Sequence, residues 1–227
     1  MIKAYTFILC LFLYSSISAQ FEINDSFGEL DLSFRQNSRN SESANTNTDQ
    51  DFELIEFRIH PKYGTFISKN SALGAGIGFE KQIGKVGSDV KVKTSDNYNL
   101  FGSVFFRPHK RISEKFAGFV NCEASFGIGK ARLIPIDPIS LEPFGGSNDR
   151  NVVNSSIGCS PGLIYFLSDR IAINSQFGFL GYTYQREKFT SNGGIENSNE
   201  DQSILFEFGM QNIQFGLNLY FSRRFKS

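Results

Sequence analysis

Between Leu73 and Phe79 the chain reads Leu-Gly-Ala-Gly-Ile-Gly-Phe, a strict alternation of apolar side chains with glycine. On a β-strand Leu73, Ala75, Ile77 and Phe79 share one face, and Gly74, Gly76 and Gly78 share the other. A half-buried strand in water sets polar side chains opposite its apolar face. Here the second face is nearly bare, which suits the crowded inside of a narrow barrel.

The same period of two predicts eight strands joined by seven connections. Over 27–36, Leu30, Leu32 and Phe34 alternate with Glu29, Asp31, Ser33 and Arg35. Over 52–67, Ile55, Phe57 and Ile59 alternate with Glu56, Arg58 and His60. Strands follow at 71–82, at 96–108 with Leu100, Val104 and Phe106 on one face, and at 115–130. In that fifth strand Phe116, Gly118, Val120, Cys122, Ala124, Phe126 and Ile128 face one way; Phe119, Asn121, Glu123, Ser125, Gly127 and Gly129 face the other. The last three span 151–167, 170–185 and 203–221. In the seventh, Ile171, Ile173, Phe177 and Phe179 oppose Asn174, Gln176, Gly178 and Tyr182.

The connections alternate in length. Long loops are expected at 37–51, 83–95, 131–150 and 186–202, with short turns between them, as in an antiparallel all-β barrel crossing a membrane with both termini on one side. Eight strands leave an interior that side chains fill, so the glycine face must look inward and the bulky face outward. Outward aromatics then form two bands: Phe34, Phe79, Phe126 and Phe179 toward the long loops, and Tyr63, Phe106, Phe116, Tyr165 and Phe221 toward the short turns. A soluble eight-stranded ligand barrel would reverse this facing.

The N-terminus adds a location. Lys3 is the one charge among the first nineteen residues, an apolar run follows from Ala4 to Tyr14, and Ser15-Ser16-Ile17-Ser18-Ala19 offers small residues for cleavage. This reads as a secretory signal at 1–19, cut after Ala19, with a barrel domain at 20–227. The remaining chain carries 22 basic and 23 acidic residues, so no basic surplus points to nucleic acid. The 25 phenylalanines read as a lipid-facing wall, and the 21 glycines as strand kinks and a tight lumen.

Several stretches resemble porin-like outer membrane β-barrel proteins. They are Pro61-Lys62-Tyr63-Gly64-Thr65-Phe66 with Asn70-Ser71-Ala72-Leu73-Gly74, and Pro161-Gly162-Leu163-Ile164-Tyr165-Phe166-Leu167-Ser168 leading to Phe177-Gly178-Phe179-Leu180-Gly181-Tyr182. The ending Phe215-Gly216-Leu217-Asn218-Leu219-Tyr220-Phe221 is similar to that family's last strand. The resemblance implies a single eight-stranded up-and-down barrel in a bacterial outer membrane, with lipid and the barrel-assembly machinery as partners. It brings no shared catalytic residues and no cofactor. One departure is that 222–227 run past Phe221, where such barrels usually end on an aromatic.

Inward charges are the candidate site. Glu29, Asp31, Arg35, Glu56, Arg58, Glu80, Arg107 and Glu123 all share the lumen parity. Charges taken out of water must be paired, so arginines bridging carboxylates in a polar plug are expected, with a narrow ion or solute path as the alternative. His60 and His109 read as ordinary polar residues, His109 in a turn, and neither a metal site nor a catalytic triad is expected. Cys122 and Cys159 share outward parity on adjacent strands; two lipid-facing thiols are favoured over a disulfide. The loops at 37–51, 131–150 and 186–202 are the places for an extracellular partner, and the proline-punctuated 131–150 loop reads as packing on its own strands, with a lid over the barrel mouth or a partner contact as the alternative.

Overall fold

The computed structural model describes residues 23–42, 49–88, 91–136, 148–190, 196–207 and 213–221. The expected signal at 1–19 and the tail at 222–227 lie outside them. The described residues form one antiparallel sheet of ten strands and no helix. They are β1 (Ser26–Glu42), β2 (Asp49–Ser68), β3 (Ser71–Ser88), β4 (Lys91–Arg111), β5 (Phe116–Ile136), β6 (Asn148–Phe166), β7 (Ile171–Gln176), β8 (Phe179–Thr190), β9 (Glu196–Glu207) and β10 (Gln214–Phe221). Neighbours pair in the order β5-β4-β3-β2-β1-β10-β7-β6-β8-β9, and β5 also pairs with β6. That last pairing closes a ring through β1–β7 and β10. From it, β8 continues beside the upper part of β6, with β9 beside β8.

The alternation places side chains as expected. Ile77, Val104, Phe126, Ile128 and Ile157 are more than half exposed, whereas Asn174, Asn218 and Arg107 are almost wholly buried. Leu30 and Leu32 face out while Glu29 and Asp31, alternating with them, are buried. Of the outward aromatics, Phe34, Tyr63, Phe106, Phe116, Phe126, Tyr165 and Phe221 are exposed.

Three expectations about the strands are corrected. The stretches at 37–51, 83–95 and 186–202 are mostly strand, and within 131–150 residues 131–136 and 148–150 are strand. β1 stays paired with β2 out to Glu42↔Asp49, and β3 with β4 out to Ser88↔Lys91. Backbone ladders need no apolar face, so polar hairpins project past the apolar band; only 43–48, 89–90, 137–147 and 191–195 connect them, outside the described residues.

The seventh strand is not continuous. It breaks at Phe177–Gly178 into β7 and β8, where Gly178 has φ 74°, a left-handed conformation that glycine adopts without steric cost. The break shifts the facing by one residue. Phe179, expected outward, turns its ring against Gly158 and Gly181, whereas Tyr182, expected inward, is exposed. The facing also differs between β9 and β10: Ile204 and Phe206 face out from β9 on even positions, Phe215 and Leu217 from β10 on odd ones.

The third correction concerns the phenylalanines. Phe27, Phe66, Phe105, Phe119 and Phe166 are buried inside, with Ala72, Ala117, Ile164, Ala172 and Tyr220, beside the short turns. Bare wall positions make room for them. A Cβ at Gly74 would collide with the Phe105 ring, and one at Gly162 with the Phe119 ring.

Candidate functional site: the lumen

The lumen is layered. At the short-turn end the aromatic cluster closes it. Phe27 packs against Phe66, Phe105 and Tyr220, with ring centroids 5.6, 6.2 and 5.7 Å apart. His109 lies in β4 rather than in a turn, buried between Phe66 and Phe119 at 5.3 and 6.1 Å.

Above the aromatics sits a compact ion network. Arg107 Nη2 donates to Glu29 Oε1 at 2.7 Å and Nη1 to Glu29 Oε2, while Nε donates to Asn121 Oδ1 at 3.1 Å. The guanidinium lies over Phe119 and Phe105, 4.7 and 5.0 Å from their centroids. The second cation is Lys62. Its Nζ is 2.8 Å from Asp31 Oδ2, 2.9 Å from Glu123 Oε2 and 3.8 Å from Glu29 Oε1. An ammonium therefore sits among three carboxylates.

Lys62 is absent from the charges singled out by sequence. Two positions from His60 on the same strand, it shares the lumen parity, but its place in the Pro61-Lys62-Tyr63 motif ties it to the family resemblance instead. The neutral partners are absent from that set too. Asn121 Nδ2 donates to Glu123, Gln176 Nε2 lies 3.4 Å from Asp31, and Asn174 and Asn218 meet at 3.3 Å. These follow from parity alone once each strand's facing is known.

The other expected residues stand higher. Arg58 stacks on Phe101 at 4.3 Å and its Nη2 comes within 3.9 Å of Glu123. His60 bonds Ser103 Oγ through Nε2 at 3.0 Å. Gln82 donates to Glu80 at 2.8 Å and to Glu56 at 3.3 Å, joining those two half-buried carboxylates. The structure thus brings Glu29, Asp31, Arg107 and Glu123 together around Lys62, adds Arg58 at the network's upper edge, and leaves Glu56 and Glu80 as a separate pair. Arg35 pairs with Glu56 through the backbone register; its side chain lies outside the described residues.

Over this network a cavity of about 260 Å³ remains, lined among others by Arg58, Asn99, Phe101, Ser125, Asn154 and Thr183. Beyond the apolar band Arg132 Nε donates to Asp149 Oδ1 at 2.9 Å, which holds the Asp149 carboxyl below its ordinary range. On the outer wall Cys122 and Cys159 stand opposite one another and are joined as a disulfide, their Cα atoms 4.1 Å apart. The expectation of two free thiols is corrected, because β5 and β6 are in register at this pair.

These features define a closed antiparallel barrel turned inside out relative to a water-soluble protein, with an apolar exterior and a charged, aromatic-floored interior. No protein-family model matches the chain, and no curated protein matches it in sequence. Its structure is similar to those of outer membrane barrel proteins. With OprG from Pseudomonas aeruginosa the TM-score is 0.48 at 8% identity, over 89% of this chain and 99% of that one. With a major outer membrane protein from Thermus thermophilus it is 0.45 at 9% identity, over 88% and 100%. The translocator domain of the autotransporter NalP from Neisseria meningitidis gives 0.38 at 8%, over 88% and 90%. Likeness at this level carries no argument about function; the facing of the side chains does.

Proposed function

We propose that this chain is an integral protein of a bacterial outer membrane, a single eight-stranded up-and-down barrel in which β7 with β8 form one interrupted strand and β9 with β10 another. It is not an enzyme. It serves as a structural or surface-interaction protein whose lumen is plugged, with the projecting hairpins as the surface for an extracellular partner. Membrane lipid and the assembly machinery are its obligatory partners.

The observation that carries this reading is the inversion of facing. Ile204 is 82% and Ile77 71% exposed, while Arg107 and Asn218 are 0% exposed. In water, leaving one such isoleucine uncovered forgoes about 1.5–3 kcal/mol of burial, and the wall repeats that choice around the ring. In hydrocarbon the same wall is in its proper solvent, and a closed ladder satisfies the backbone there.

A narrow channel for small polar solutes is the competing reading, favoured by the polar upper lumen and opposed by the aromatic floor. Purified protein in planar bilayers discriminates them. The plugged reading expects no steady conductance; ohmic steps from the unmutated protein would establish a pore. Recovery as a detergent-free soluble monomer would remove both and leave a secreted binding barrel.

A further inference from the structure

The upper lumen has the form of a cup. Its floor is the Arg58 guanidinium stacked on the Phe101 ring, 4.3 Å from the centroid. Its walls carry amides and hydroxyls from several strands. Gly127 shapes one wall: a Cβ there would collide with the side-chain amides of Asn99 and Asn154, so both lie across the bare backbone. Ser125 and Ser156 share a hydrogen bond of 2.8 Å, and Thr183 and Ser203 one of 2.7 Å. Two hydroxyls that share one bond keep one donor and three acceptor sites unused.

The chemistry of this lining excludes most ligand classes. One guanidinium at the floor stands against the carboxylates Glu80 and Asp201 on the walls, so a ligand with net charge of either sign meets a like charge. Arg58 covers the Phe101 face, so that ring is not free for stacking. Neutral donors and acceptors, closely spaced, remain. A hydroxyl is both donor and acceptor, and amides and carboxylates bond such groups well. At about 30 Å³ of liquid per water, 260 Å³ holds about nine waters, the room for one small ring-sized solute. Arg58 Nε and Asn99 Oδ1 have no hydrogen-bond partner, while the Arg58 guanidinium is held by Phe101 and Glu123.

We propose that the cup binds one neutral polyhydroxylated solute of monosaccharide size. This rests on the reading above that the hairpin end faces outward and the floor is closed. Sugar hydroxyls reproduce the hydrogen bonds that water makes to amides and hydroxyls of this kind.

The test uses the full barrel in lipid nanodiscs, with saturation-transfer NMR and titration calorimetry against glucose, galactose and N-acetylglucosamine. Saturable binding of at least one is expected, weakened about tenfold by Asn99→Leu and by Thr183→Val, each removing bonds from a different wall. Gly127→Leu, which drives both amides off the wall, should abolish it. Heat-modifiable gel migration reports folding of each variant separately, and the outward Ile157→Leu variant should bind as the parent does. A linear trisaccharide of the preferred sugar distinguishes sources: equal affinity means a glycan end enters, and loss means a free solute.

Absence of saturable binding by folded protein overturns the proposal. So does binding unchanged in Asn99→Leu and Thr183→Val, or a preference for glycine or inorganic phosphate over every sugar. Failure of the membrane reading is seen independently, as soluble protein without heat-modifiable migration.

Discussion

Removing the Arg107 charge tests the layered lumen most directly. Arg107 is 0% exposed and is held by both oxygens of Glu29 and by Asn121 Oδ1. Arg107→Met keeps most of the stem over Phe105 and Phe119 and removes the charge. Glu29 would then depend on Lys62 at 3.8 Å, which already serves Asp31 at 2.8 Å and Glu123 at 2.9 Å. Glu29, Asp31 and Glu123 would then share the Lys62 ammonium, with Arg58 reaching only Glu123, at 3.9 Å.

Breaking a buried pair on one side typically costs about 3–5 kcal/mol, because the stranded charge keeps its desolvation penalty. Replacing both members with uncharged groups of similar volume is often neutral or stabilising. Urea unfolding in lipid vesicles, followed by circular dichroism, should therefore show Arg107→Met destabilised by about that amount. The double variant Arg107→Met with Glu29→Gln should recover most of the loss. If the single variant lies within about 1 kcal/mol of the parent, the network is exposed to water and its placement in a sealed layer is wrong. If the double is no better than the single, the loss comes from packing on the rings and not from the stranded carboxylate.

Other consequences are as sharp. Gly78→Val places new atoms in the Phe101 ring and should cost about 1–3 kcal/mol by the same unfolding assay, whereas Gly102→Val, whose Cβ would meet only the Gly76 carbonyl at 3.9 Å, should be far milder. Ile157→Arg on the 60%-exposed outer wall should lower stability in bilayers by about 2–4 kcal/mol if that position lies near the midplane, and an unchanged value would argue against hydrocarbon there. Intact mass of alkylated protein should show Cys122 and Cys159 protected until reduction; immediate labelling of both would remove the bridge.

Much of the fold was legible because a barrel wall repeats one simple rule. Every second residue points outward, so the facing of Glu29, Asp31, Arg107 and Glu123 could be read from their neighbours with no tertiary information. Parity carries Lys62 as well, since it stands two residues from His60 on one strand. The rule fails where the count slips. One left-handed glycine at position 178 moves Phe179 inside and Tyr182 outside, and nothing in an alternating string announces the slip, since both registers leave an aromatic on each face.

By itself, then, the amino-acid order determined the class of architecture, the solvent each face prefers and the set of charges that must share the interior. Those are local properties of alternation. Which cation serves which carboxylate depended on the closed ring, because Glu29, Lys62, Arg107 and Glu123 come from four strands brought together by register. The rings inside the floor were decided there too: Phe105 and Phe119 lie over Gly74 and Gly162 of neighbouring strands, and Phe66 and Phe166 stand opposite Ala72 and Ala172. Long-range complementarity of that kind resides in pairs of positions far apart along the chain, and only closure of the sheet makes them neighbours.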